Sequence, residues 1–166
     1  RLWVGLDGPS RELSREAFTL ASAVGAADVA AEAALLFELA THLPGLPGGP
    51  AVELLSRAVD LMDDRMTPLR VRLQASLGRA LAIEGESDLA GEVIDVALSQ
   101  ARQSGDVDAL LVGLEAVITA ADDPTRILDA ARELEATARR ADDLWGTLYG
   151  SHNRCRAQIA LGDLDD

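Results

Sequence analysis

Residues 74–98 read QASLGRALAIEGESDLAGEVIDVAL, and their spacing of large and small side chains predicts a packed pair of helices. Gly78 and Ala97 are small enough to let two helix backbones approach to about 8–10 Å. Leu81 and Ile94 have the size and position to fill the space around that crossing. Gly85 is placed to end the first helix in a left-handed conformation, which costs glycine little. Ser87 or Asp88 is then expected to cap the second helix.

The same stretch resembles the tetratricopeptide repeat. The matching features are Leu77-Gly78, the turn Gly85-Glu86, and Ala90, Ile94 and Ala97 in the second helix. The resemblance implies an all-α fold, a right-handed α-solenoid of antiparallel helix pairs. It also implies a surface that holds a partner rather than one that catalyses a reaction.

The pattern recurs along the chain. Candidate first helices start at Asp28, Thr67, Asp106 and Asp143, which are 39, 39 and 37 residues apart. A repeat of this length predicts stacked helix pairs, and 3.6-residue periodicity predicts no strand. We expect a single repeat domain over 1–166, with boundaries near 28, 67, 106 and 143. The eight helices are predicted near 10–25, 28–43, 50–65, 68–84, 87–104, 107–121, 124–141 and 143–161.

Prolines support these helix starts. Thr67-Pro68 and Asp123-Pro124 each place a capping side chain before a proline in the first turn, and Gly49-Pro50 is a weaker case.

At the ends of the chain, 1–6 resembles the remnant of a first helix, and 162–166 stops where another second helix is due. With no initiating Met, we expect an excised piece of a longer protein; the alternative is trimming of disordered termini.

Composition restricts the function classes. The formal charge is −13, every base is Arg, and hydrophobic residues make up 48% of the chain. This balance repels phosphate backbones, so we expect no direct nucleic-acid binding. No apolar run approaches the about 20 residues that span a bilayer, so we expect no membrane partner and a cytoplasmic location. Cys155 alone cannot form an internal disulfide.

Catalytic and metal motifs are weak. A P-loop needs a Lys, which this chain lacks. His152 and Cys155 share a helix turn, but a structural zinc site takes four ligands and the only other His, His42, is two repeats away. A Cys–His nucleophile pair there would lie on an exposed turn without a cleft. The sequence therefore predicts no enzyme, no cofactor and no metal, and acidic pairs such as Asp142-Asp143 are interpreted as helix caps.

A ligand groove is the remaining candidate site. In the resembled repeat the first helix of each pair lines the concave face, and the corresponding positions here are Arg72, Ser76, Arg79, Tyr149, His152, Asn153 and Arg156. Their donors would suit a carboxylate or phosphate. The alternative is a solvated face with local Arg–Glu pairs. Ala33, Ala34 and Phe37 predict an apolar stretch of the same groove that another part of the parent protein covers.

A narrower resemblance begins at Asp122-Asp123-Pro124, continues through 128–134 and returns at 156–164. These segments are similar to the helical-repeat region of large bacterial LuxR-type regulators and of ATPase-coupled, adenylyl-cyclase-like regulators. The resemblance implies a non-catalytic module of a transcriptional or signalling regulator that binds a protein, a peptide or a small acidic effector and contacts neighbouring domains. The alternative is a free-standing tetratricopeptide adaptor that scaffolds a complex.

Overall fold

The computed structural model describes residues 7–163, and the expectation about 1–6 and part of that about 162–166 lie outside this range. Eight α-helices and no strand are present within it, which confirms the all-α class. No helix of this part of the chain is long and apolar enough to cross a bilayer. The helices are α1 (Asp7–Ala23), α2 (Ala27–His42), α3 (Gly49–Leu61), α4 (Pro68–Ile83), α5 (Ser87–Ser104), α6 (Val107–Ala120), α7 (Pro124–Arg140) and α8 (Leu144–Leu161).

Four of the eight described helices start at a predicted cap. The side chains of Thr67, Asp106, Asp123 and Asp143 each accept a hydrogen bond from a backbone N–H in the first turn of the helix that follows. Gly85 has φ of +88°, as the predicted left-handed helix end requires. The capping of α5 by Ser87 or Asp88 is wrong, because the N-cap is Glu86 and no side chain there bonds the exposed amides. At α3 the N-cap is Gly48, again without a side-chain cap.

The end of α3 differs most from its prediction. The helix stops at Leu61 instead of 65, since Met62 takes an extended backbone conformation. Asp63 then accepts hydrogen bonds from both the backbone N–H and the guanidinium of Arg65. Local side-chain bonding of this kind competes with helix continuation.

The helices pack in an ordered series. Each helix contacts the next one along the chain, and α2, α4, α6 and α8 also contact one another in that order. We call these four helices the even row; they are the ones predicted as first helices. Within the even row the contact between α6 and α8 is the smallest. The row therefore brings residues from successive repeats onto neighbouring helices.

The core follows the predicted ladder of large and small residues. Ile94 and Ala97 of α5 are fully buried. A Cβ atom on Gly78 would lie 2.4 Å from Cγ1 of Ile94, so α4 and α5 can approach closely only because that position is glycine. Ala33, Ala34 and Phe37 are also in the core. The prediction that they line an apolar groove is therefore wrong, because packing within the chain already covers them.

The helices α7 and α8 approach each other at two more glycines. A Cβ on Gly150 would lie 2.8 Å from the backbone N of Glu135, and one on Gly146 would lie 2.9 Å from Cβ of Ala138. One face of α8 is thereby held against α7. On the opposite face of α8, Leu144, Leu148 and Ile159 are exposed.

Candidate binding groove

Arg79 is buried at the centre of the even row between two glutamates. Its Nε and Nη2 donate to Oε1 and Oε2 of Glu38 in α2, at 2.9 and 2.7 Å. Its Nη1 donates to Oε2 of Glu115 in α6, at 3.2 Å. The side chains of Arg79 and Glu38 are 5% and 2% exposed. We call Glu38, Arg79 and Glu115 the ion triad, and it links three helices of the even row.

The triad places two negative charges around one positive charge in a region shielded from water. Burial opposes the charge of Arg79, but the field of Glu38 and its two hydrogen bonds outweigh burial and raise the pKa of Arg79. Burial raises the pKa of Glu115, and Arg79 only partly offsets this effect. Burial and then the charge of Arg79 lower the pKa of His42, at the end of α2. The fixed pair is therefore Arg79 with Glu38, whereas Glu115 is the weaker partner.

A groove of about 480 Å³ lies beside the triad. Its polar lining includes His42 from α2, Thr119 from α6, and Tyr149, Asn153 and Arg156 from α8. His42 lines the groove and lies in the field of Arg79 and Glu38, so the groove and the triad are neighbours. The rest of the lining is mostly apolar: Ile118, Ala121, Pro124, Ile127, Ala157 and Ala160, with Asp122 as the acidic member.

Hydrogen bonds within α8 hold the polar groups of the groove in place. The side-chain N–H of Asn153 donates to the carbonyl of Tyr149 at 2.9 Å, and its oxygen accepts from Nη1 of Arg156 at 3.2 Å. The hydroxyls of Tyr149 and Thr119 are 3.4 Å apart, and the Tyr149 ring stacks on Trp145. Arg156 forms no ion pair with any residue in the described part of the chain. Its charge is available to a ligand.

The structure brings together three of the seven predicted site residues, namely Tyr149, Asn153 and Arg156. Arg72 lies elsewhere, in a depression among the starts of α2, α4 and α6, and pairs with Glu32. Ser76 is 1% exposed. His152 is exposed on α8 and is not among the groove residues. The three guanidinium nitrogens of Arg79 each donate to a glutamate of its own chain.

Sequence reasoning missed Glu38, Glu115 and His42. When the repeats are superimposed on their starts at Asp28, Thr67 and Asp106, the residues Glu38, Arg79 and Glu115 fall within about one helical turn of each other. Opposite charges within about one turn of each other in successive repeats are the signal that predicts such a triad.

We expect Glu115→Gln to become more stable relative to wild type as pH rises from 4 to 8. The folded-state pKa of Glu115 lies above its unfolded value, so the folded protein binds the proton more tightly. Stability from this group is then present at acid pH and falls as pH rises through the interval between the two values. Glutamine does not titrate, so the variant lacks this loss of stability with rising pH. Urea unfolding of both proteins across this pH range tests the sign; a variant that loses stability relative to wild type with rising pH would contradict it.

The described residues contain no group of three or more His, Cys, Asp or Glu side chains placed to hold an ion. Cys155 is an exposed free thiol.

Neither a family model nor a curated protein sequence matches this chain. The tetratricopeptide and LuxR-type resemblances therefore stay predictions.

Proposed function

We propose that this chain is a non-catalytic binding module, a right-handed tetratricopeptide-like solenoid whose groove holds a protein, a peptide or a small effector. The observation that carries the proposal is the composition of the groove. Three helices of the even row supply its polar side chains, and those from α8 are fixed by their own hydrogen bonds. Preorganised donors around an apolar floor are typical of ligand sites.

An acidic group is the ligand feature that this groove favours. Arg156 is the one arginine of its lining and forms no ion pair with a carboxylate of residues 7–163, whereas the triad arginine is already neutralised. A guanidinium can bond a carboxylate or phosphate with two parallel donors. Asn153 fixes the position of this guanidinium through Nη1. The apolar floor would hold the aliphatic or aromatic part of the same ligand.

The test is a titration followed by backbone amide shifts, using capped tripeptides that end in a free carboxylate and their C-terminal amides. We expect the free-carboxylate peptides to shift amides near Thr119, Tyr149, Asn153 and Arg156. Arg156→Ala should remove the difference between the acid and the amide series. This result would mean that the groove recognises the carboxylate rather than the peptide backbone.

The matched control is Arg57→Ala, because Arg57 is an exposed arginine on α3, distant along the chain, with a weak pair to Glu53 at 3.9 Å. This variant should bind like wild type. Equal losses in Arg57→Ala and Arg156→Ala would indicate a diffuse charge effect. Shifts confined to α3, α5 and α7 would contradict binding in the groove.

We further propose that the module belongs to a large bacterial regulator of the LuxR type or of the ATPase-coupled, adenylyl-cyclase-like type, in the cytoplasm. Ligand occupancy would reach neighbouring domains through the even row. The second candidate is a free-standing adaptor that assembles a protein complex, and the exposed leucines of α8 favour it. The full-length reading frame separates the two, since a P-loop upstream or a helix-turn-helix downstream would decide for the regulator.

A further inference from the structure

The groove between α6 and α8 carries one charge of each sign, and the two charges do not neutralise each other. Among the described residues that line it, Arg156 is the only arginine and Asp122 the only acid. Neither forms an ion pair with the other or with any further residue of 7–163. The guanidinium nitrogens and the carboxylate oxygens are therefore more than 4.0 Å apart.

Asp122 is not used as a helix cap. The residue after it, Asp123, accepts a hydrogen bond from the backbone N–H of Thr125 at 3.0 Å and caps α7. Asp122 itself lies in the connection between α6 and α7, and its side chain is exposed at the groove. A carboxylate that neither caps a helix nor pairs with an arginine is available to a ligand.

The groups next to the groove add no second positive charge. Burial and the charge of Arg79 lower the pKa of His42 below its usual value, so His42 is mainly neutral at pH 7. The neighbouring ion triad has two carboxylates to one guanidinium. A purely anionic ligand at Arg156 would therefore lie among uncompensated negative charges. A ligand that also carries a cationic group would not meet this repulsion.

The size and the floor of the groove suit a small molecule with apolar side chains. The groove volume of about 480 Å³ lies within the usual range of about 300–1,000 Å³ for small-molecule sites. Ile118, Ile127 and Ala157 contribute to its apolar floor. Asn153, which is 4% exposed, accepts a hydrogen bond from Nη1 of Arg156 and so fixes one of the two charged groups.

We propose that the groove binds a short zwitterion with apolar side chains, a dipeptide or a free amino acid, whose carboxylate pairs with Arg156 and whose ammonium group pairs with Asp122. This inference rests on the proposed function, because it places the ligand carboxylate at Arg156. It adds a second charged contact. It also narrows the ligand to a molecule that has a free amine and a free carboxylate close together.

The probes are four small molecules that differ in charge or in length. Leucyl-leucine carries both charges, N-acetyl-leucyl-leucine keeps only the carboxylate, and leucyl-leucinamide keeps only the ammonium group. Leucine carries both charges over a shorter span. Backbone amide shifts of the 166-residue chain at pH 7 and low salt give each affinity. An α-amino group, with a pKa of about 7.7–8.0, is mainly protonated under these conditions.

We expect leucyl-leucine to bind about threefold tighter than N-acetyl-leucyl-leucine, the size of effect that a partly exposed ion pair gives. Asp122→Asn should remove this difference and leave the affinity for the N-acetyl form unchanged. Arg156→Ala should remove the difference between leucyl-leucine and leucyl-leucinamide. Added salt should reduce both differences. Tighter binding of leucyl-leucine than of leucine assigns a dipeptide, and the reverse order assigns a free amino acid.

The matched control is Asp60→Asn, because Asp60 is an exposed acid on α3 outside the groove. This variant should bind all four probes like wild type. Equal losses in Asp60→Asn and Asp122→Asn would indicate a general charge effect and would overturn the pairing with Asp122.

Two further results would overturn the zwitterion proposal alone. One is equal or tighter binding of N-acetyl-leucyl-leucine to wild type, and the other is a preference for the free amine that persists in Asp122→Asn. In both cases the carboxylate still binds at Arg156, and the proposed function stands. If neither carboxylate-bearing dipeptide shifts amides of the groove, both proposals fail.

Discussion

Arg79→Met is expected to lose about 3–5 kcal/mol of unfolding free energy, because it leaves the carboxylate of Glu38 buried without a counter-charge. Glu38 is 1% exposed, and both of its oxygens accept hydrogen bonds from Arg79. No other ion pair of Glu38 is present in the described residues to replace them. Guanidinium chloride unfolding of the variant, beside wild type at pH 7, measures the loss.

The control is the double variant Glu38→Met with Arg79→Met in a Glu115→Gln background, which removes all three charges of the triad and keeps side chains of similar length. Replacing a buried ion pair with apolar residues is often neutral or stabilising, so the double variant should recover most of the stability lost in Arg79→Met. If the loss in the double variant instead equals the sum of the losses in Glu38→Met and in Arg79→Met, the cost does not come from an uncompensated charge. The triad would then be a packing feature rather than an electrostatic one.

Helix positions were predictable because the chain marks them locally. Thr67, Asp106, Asp123 and Asp143 are capping residues directly before their helices, and each side chain makes the expected bond. The end of α3 was not predictable in the same way. No glycine follows Leu61, and the carbonyls of Val59 and Met62 at the end of α3 accept from the guanidinium of Arg70 in the next helix, a contact that periodicity does not reveal.

The candidate site could be predicted only in part. Resemblance assigned Arg79 and Arg156 equivalent places on first helices, yet one is 4% exposed and the other is exposed at the groove. Their difference comes from the neighbouring helices, since α2 and α6 present Glu38 and Glu115 to Arg79. Reading one repeat at a time misses such partners, because they lie in the repeats before and after. Comparing charges within about one helical turn of each position in successive repeats would have found them.

Gly78→Leu is expected to destabilise the protein by about 3 kcal/mol or more, at or above the upper end of the usual cost of an overpacked core. The added Cβ alone would lie 2.4 Å from Cγ1 of Ile94 and 3.3 Å from the carbonyl oxygen of Ala90. Ile94 is fully buried, so its side chain has no open space to move into. Helices α4 and α5 must therefore separate. Thermal and chemical unfolding measure the cost.

Gly91→Ala is the matched control on the other helix of the same pair. A Cβ atom on Gly91 would meet nothing within 4 Å, so alanine adds helix propensity without a clash and should stabilise by up to about 1 kcal/mol. The two substitutions therefore separate a glycine required by close packing from one that packing leaves free. If Gly78→Leu and Gly91→Ala were equally harmless, α4 and α5 would not approach at Gly78, and the alignment of the central repeat on Leu77-Gly78 would be wrong.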